Sequence, residues 1–200
     1  MRRIIVSEFL SLDGVMQGPG SPDEDREGGF DKGGWQMPYN DESQMKAVGE
    51  RIAGTDAYLL GRKTYDIFAR YWPTQPDSDP FAKTLNSKPK YVVSQSLSEP
   101  LGWQNSHLIG GDVDAEVRRL KDQDGKDITI LGSGQLVRTL ADNDLVDEYW
   151  LMVCPLVLGG GKRLFRDGFN FAHLELVDNQ TNSKGALLLT YRPTHQPQAG

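Results

Sequence analysis

Two short segments place glycine and hydrogen-bond donors where a predicted strand gives way to a predicted helix. Gly61-Arg62-Lys63-Thr64 follows the apolar run Ala57-Tyr58-Leu59-Leu60 and opens a stretch of helical character that stops near Pro73. The free amides and dipole of a helix N-terminus attract an anion there. Arg62 or Lys63 can pair with a phosphate, and Thr64 can donate a hydroxyl hydrogen bond or cap the helix. Leu131-Gly132-Ser133-Gly134-Gln135 repeats the arrangement, and its small side chains let a dinucleotide pyrophosphate come close to the backbone. Each segment taken singly also suits a plain capped helix or a tight turn. The second lacks the last glycine of G-x-G-x-x-G, because Val137 stands there, which disfavours a standard Rossmann domain. Gly159-Gly160-Gly161-Lys162-Arg163 is either a third phosphate-facing loop or a flexible hairpin.

Three carboxylates are candidates for acid–base work. Asp13, in the turn Asp13-Gly14, either orients a substrate or closes the turn, and Asp41 and Glu42 either act chemically or favour a helix N-terminus. Trp35 sits in a glycine-rich stretch and can cover a planar ligand, whereas Trp72, Trp103 and Trp150 read as core or rim aromatics. Cys154 lies in an apolar strand pattern and reads as a structural thiol. None of the three histidines stands at ligand spacing with another His or Cys, so no metal site is expected.

The elements that must position these residues alternate along the chain. Arg3 to Leu12 reads as a strand, 18–34 as a long exposed loop, and Asp41 to Ala53 as an amphipathic helix in which Met45, Val48 and Ile52 recur at helical spacing. Strands over 57–60, 90–94 and 127–131 alternate with helices over 64–71, 113–122 and 135–141, and the last third reads as strands over 148–158, 174–179 and 186–192. That order predicts a mixed sheet covered by helices. A chain of 200 residues suits one domain, expected over 1–193, with 194–200 as a disordered tail. The net charge of -6 gives no reason to expect a nucleic-acid partner. The apolar N-terminal stretch is interrupted too early for a signal or a membrane span, so no membrane partner and a cytoplasmic location are expected.

Taken in order, Ser11-Leu12-Asp13-Gly14-Val15, Asp56 to Tyr65, Gly132 to Gly134 and Pro155 to Phe165 make the chain resemble the dihydrofolate reductase-like superfamily. The similarity is strongest to the branch holding the C-terminal reductase domain of the riboflavin biosynthesis deaminase-reductase, and it covers nearly the whole chain. The resemblance implies an α/β three-layer fold with a central mixed, mostly parallel sheet, and NADPH across its strand ends. It implies that Gly61, Arg62, Lys63 and Thr64 face the adenosine phosphates and pyrophosphate, Ser94 and Gln95 the adenosine side, and Gly132, Ser133, Gly134, Gln135 and Leu136 the second pyrophosphate turn. Leu12, Asp13 and Met16 are then expected near nicotinamide and substrate. The implied activity is hydride transfer to a small heterocycle, such as the phosphoribosylaminouracil of riboflavin synthesis, by a homodimer. Reduction of another pterin or carbonyl compound, or nucleotide binding without catalysis, are the alternatives. No residue matches the pterin-protonating carboxylate of dihydrofolate reductases.

Overall fold

The computed structural model describes residues 1–170 and 172–194. In chain order the elements are β1 (Ile4–Ser11), α1 (Glu42–Gly54), β2 (Thr55–Gly61), α2 (Arg62–Tyr71), α3 (Pro80–Ser87), β3 (Lys90–Val93), β4 (Ser106–Ile109), α4 (Val113–Asp122), β5 (Asp127–Leu131), α5 (Gly134–Asp142), β6 (Glu148–Cys154), β7 (His173–Thr181) and β8 (Leu187–Thr194). The strands form one sheet in the order β4-β3-β2-β5-β1-β6-β8-β7. It is parallel from β4 to β6, and β8 runs antiparallel to both of its neighbours. The mixed, mostly parallel α/β sheet expected of the sequence is therefore present.

Period-2 alternation divides the core between the two faces of the sheet. Ile4, Val6 and Leu10 of β1 pack with Val117 and Leu120 of α4 and with Leu136, Val137 and Leu140 of α5. Ile5 packs on the other face with Trp150, Met152 and Cys154 of β6. A third cluster joins Tyr58, Leu60 and Val92 to Tyr65, Leu85 and Trp103. Lys90 is buried with it, its ammonium donating to the carbonyls of Leu85 (2.7 Å) and Lys88 (2.9 Å) and lying 4.4 Å from the Trp103 ring centre. Burial pushes its pKa down to about 8.

Several expectations need correction. The segment 18–34 is not a free surface excursion. Phe30 is buried in the second core cluster with Trp35, Gln17 donates to the carbonyls of Asp25 and Glu27, and Lys162 holds both Asp25 and Glu27 at 2.6 Å. In α1, Met45 is exposed and Gln44 is the buried residue, because this side of the helix overlooks a cleft instead of the core. β6 stops at Cys154 because the following Pro155 has no N–H for the ladder. Thr194, expected in the tail, is the last residue of β8, and 195–200 lie outside the described residues. α3 and β4, eight and four residues long, have no counterpart in the sequence reading.

Candidate active site

The parallel strands β1, β2, β3 and β5 end at a common edge, where open α/β sheets bind ligands. A cleft of about 1660 Å³ runs along this edge. That exceeds the roughly 300–1,000 Å³ of a single small-ligand pocket and leaves room for two ligands side by side.

All the residues expected to hold a dinucleotide line this cleft: Gly61 to Thr64, Ser94 with Gln95, and Gly132 to Leu136. The two glycine turns are hydrogen-bonded into one unit. The Gly61 N–H donates to Ser133 Oγ at 2.9 Å, Ser133 Oγ donates to the Leu131 carbonyl at 3.0 Å, and the Ser133 N–H donates to Thr64 Oγ1 at 3.0 Å. Gly132 and Ser133 both take left-handed backbone angles, with φ 57° and 63°. Gly132 is required there, because an added Cβ would stand 2.8 Å from Thr64 Oγ1. Ser133 tolerates the conformation through the two bonds of its hydroxyl.

Capping separates these two helices from the others. Asp41, Asp79 and Asp112 accept backbone N–H bonds at the starts of α1, α3 and α4. α2 and α5 start at Gly61 and Ser133 without a side-chain cap. Their first-turn amides therefore face the cleft unspent, and an anion is the ligand that satisfies such groups. Arg62 pairs with Asp66 at 2.8 Å, and Lys63 pairs with Glu27 of the 18–34 segment. Ser94 turns its hydroxyl inward to accept from the amides of Ser96 and Leu97, both at 3.1 Å.

The carboxylates singled out in the sequence occupy other places. Asp13, Asp41 and Glu42 do not line the cleft. Asp13 accepts from the Leu158 N–H (3.0 Å), the Gly159 N–H (2.9 Å) and the Ser11 hydroxyl (2.7 Å), which ties the glycine-rich loop to the end of β1. These bonds, the Leu158 amide foremost, hold it far below the usual carboxylate range. Asp41 caps α1 and accepts from both the amide and the hydroxyl of Ser183. Glu42 is exposed in the first turn of α1. Among the substrate-side candidates, Met16 reaches the cleft, Leu12 is exposed away from it, and Trp35 is buried with its Nε1 donating to the Gln17 carbonyl at 2.8 Å.

The carboxylate that does reach the cleft was not singled out in the sequence. Glu8, on β1, lines the cleft and is 6% exposed, and its Oε1 has no hydrogen-bond partner among the described residues. Desolvation, with the negative field of Glu24 second, pushes its pKa well above the ordinary value. Gln44, 2% exposed on the α1 wall, likewise has an unpartnered Oε1. The available signal was a charged residue in an otherwise apolar strand, Ile4-Ile5-Val6-Ser7-Glu8-Phe9-Leu10. Cys154 is fully buried, its pKa pushed up to about 12 by desolvation. Among the described residues no cluster of His, Cys, Asp or Glu is suited to a metal ion, and no helix is long and apolar enough to cross a membrane.

Comparison with known proteins agrees with this architecture. The family model described as the RibD C-terminal domain matches residues 2–188. Two Bacillus subtilis proteins are similar over most of their lengths. YyaP is 32% identical over 193 residues, 95% of this chain and 94% of its own, and YwjB is 31% identical over 180 residues, 88% and 89%. Three solved structures share the fold. A putative riboflavin biosynthesis protein from Shewanella sp. PV-4 superposes with TM-score 0.71 at 24% identity, covering 96% of this chain and 99% of that one. Dihydrofolate reductase from Enterococcus faecalis, solved with NADP(H), gives 0.60 at 12% identity and 96% of both chains. A pyrimidine reductase-like protein from Corynebacterium diphtheriae gives 0.62 at 13%, covering 98% and 93%.

Proposed function

Since the chain belongs to the RibD C-terminal domain family, we propose that it is an NADPH-dependent reductase acting on a small heterocycle related to the phosphoribosylaminouracil of riboflavin synthesis. The observation that carries this reading is the pair of uncapped helix N-termini at Gly61 and Ser133, joined by their own hydrogen bonds and open to one cleft. Two adjacent anion sites built from backbone amides suit the linked phosphates of a dinucleotide. Arg62 and Lys63 stand at the first of them, where an additional phosphate can exchange for Asp66 and Glu27 as their partner. Ser94 and Gln95, after β3, are assigned to the adenosine side and Met16 to the reacting ring; all three line the same cleft.

When bound, the nicotinamide supplies the hydride pair. The protein supplies position: rigid turns hold the phosphates, and the 18–34 segment, fastened by Lys63 and Lys162 through Glu27, walls the cleft. The dihydrofolate reductase of Enterococcus faecalis was solved with NADP(H), which supports the cofactor class in this fold. A homodimer belongs to the same proposal and is tested by the sedimentation mass of the protein.

Calorimetric titration with NADPH and NADH, on the natural protein and on Arg62→Ala with Lys63→Ala, tests the reading. NADPH is expected to bind more tightly than NADH, and the double variant is expected to lose that preference. Binding of neither nucleotide would overturn it.

A further inference from the structure

Glu8 is unlike every other carboxylate singled out above, because nothing in the fold explains it. It sits on the central strand β1 with Leu131 and Trp150 flanking the register position before it, and alternation puts its side chain on the face shared by Val6 and Leu10. Placing a carboxyl among such neighbours is unfavourable unless a partner or a proton compensates. Its Oε1 has no partner among the described residues and the side chain borders the cleft, so this carboxyl is free to meet a ligand there.

We propose that Glu8 is the acid of the reaction, a buried carboxyl at the cleft that gives a proton to the substrate as the substrate is reduced. The inference rests on the reductase reading and adds the residue which that reading lacked. In balanced form, the carbon of a C=N or C=O bond takes up hydride, whose electron pair a dihydronicotinamide supplies and which leaves that ring oxidised. The π electrons move to the nitrogen or oxygen, the Glu8 O–H bond breaks, and the heteroatom takes the proton. Glu8 is left as a carboxylate and regains a proton from water.

The charged groups around it fit this role. Glu24, from the 18–34 segment, also lines the cleft; its carboxylate accepts from the amides of Gly20 (2.6 Å) and Ser21 (3.3 Å), and its field favours the protonated form of Glu8. Asp25 is paired with Lys162, and Arg163 donates to the Asp13 carbonyl at 2.8 Å and pairs with its carboxylate at 3.4 Å. On α2, Arg62 and Lys63 are paired with Asp66 and Glu27. Arg166 and Asp167 complete the charged rim beyond Arg163. Arg62, Lys63, Lys162 and Arg163 are thus matched by acids, Arg70 donates to the Asp66 carbonyl at 2.9 Å, and none of the ion pairs among the described residues reaches Glu8. Gln44 adds an unpartnered acceptor to the same cleft, suited to an N–H of a heterocyclic substrate.

The test uses the affinities of the full-length protein for NADP+ and NADPH, measured by calorimetry across the pH range in which it stays folded, for the natural protein and Glu8→Gln. A cationic oxidised ring beside Glu8 lowers its pKa, and a neutral reduced ring does not. Linkage then makes NADP+ binding tighten relative to NADPH as pH rises through the Glu8 titration, by up to about tenfold per pH unit for one released proton. The phosphates are common to both nucleotides and cancel in the ratio. The expected result is a pH-dependent ratio in the natural protein and a flat one in Glu8→Gln, with NADPH affinity retained. If both nucleotides bind and the ratio runs in parallel in the two proteins, Glu8 does not hold the proton and only the reductase reading survives. If neither nucleotide binds the natural protein, both fall.

Discussion

Glu8 and Glu148 are buried glutamates on the adjacent strands β1 and β6, and the protein treats them in opposite ways. Glu148 is 2% exposed and receives Arg51, Arg3 (3.3 Å) and Arg192 (3.1 Å). Desolvation opposes its charge, but the arginines, Arg51 first, outweigh it and hold the carboxyl below its ordinary value. Glu8 pairs in register with Leu151, three places along β6 from Glu148, and among the described residues no arginine pairs with it; its pKa moves up. A chain that gathers three guanidinium groups around one buried acid is able to neutralise another. Leaving Glu8 without them marks it as a group kept for chemistry, since perturbed acids in clefts are where catalytic groups concentrate.

The sharpest way to break this contrast is turnover. Glu8→Gln keeps the shape of the side chain and removes its acid. Reduction of whichever heterocycle the natural protein accepts is expected to fall by about 100-fold to 10,000-fold in kcat, the usual worth of a general acid, with KM for NADPH little changed. An unchanged kcat would return Glu8 to the status of a buried structural oddity. Stability should separate the two residues next. Glu148→Leu leaves three arginines without their shared acid and is expected to cost about 3 kcal/mol in urea unfolding, at the low end for a broken buried pair because Arg3 and Arg192 are half-exposed and can rehydrate. Glu8→Leu removes an unpaired buried carboxyl and should leave stability equal or higher.

The pH dependence of unfolding sharpens the same contrast through opposite signs. Glu8 has its folded pKa raised, so its contribution is fully present below the unfolded value of 4.5 and is lost as pH rises through the folded pKa. Glu148 has its folded pKa lowered, so its contribution is present above 4.5 and is lost as pH falls through the folded pKa. Urea midpoints followed across pH should therefore lose part of their decline with rising pH in Glu8→Gln and part of their decline with falling pH in Glu148→Gln. Identical profiles in both variants would remove the distinction.

How much of this was legible in the sequence follows from what each signal requires. The strands β2 and β5 and the turns after them were readable because an apolar run, glycine and then helical spacing are all local, and the residues named in those turns do come together in the cleft. α3 and β4 escaped because eight residues opening on Pro80 and four residues containing Ser106 and His107 are too short for a period to emerge. The carboxylates failed for a different reason. Asp13 and Asp41 stand beside turn and helix signals and are occupied by backbone amides, which is what those signals mean. Glu8 offered only the signal of a charge in a mostly apolar strand, and the sheet edge is what shows that this strand residue borders an opening. Met45 misled likewise, since helical spacing reports a common face and not whether that face meets core or cleft.

The smallest expected effect concerns the contrast between spent and unspent amides. Asp79 and Asp112 satisfy the first turns of α3 and α4, while α2 begins at Gly61 without a cap. Gly61 has φ -75°, which any residue can adopt, and an added Cβ would meet Ser133 at 3.5 Å and Leu136 at 3.9 Å, both ordinary contacts. Gly61→Ser can therefore be accommodated, and its hydroxyl would occupy an amide that the proposed phosphate needs. Stability should rise by a few tenths of a kcal/mol, about the gain of serine over glycine at such a position. NADPH affinity should fall by about tenfold, the low end of the worth of one hydrogen bond to a charged group. A variant that is slightly more stable and binds less well would show that the missing cap serves the ligand; unchanged affinity would make the bare N-terminus of α2 an incidental feature of the turn.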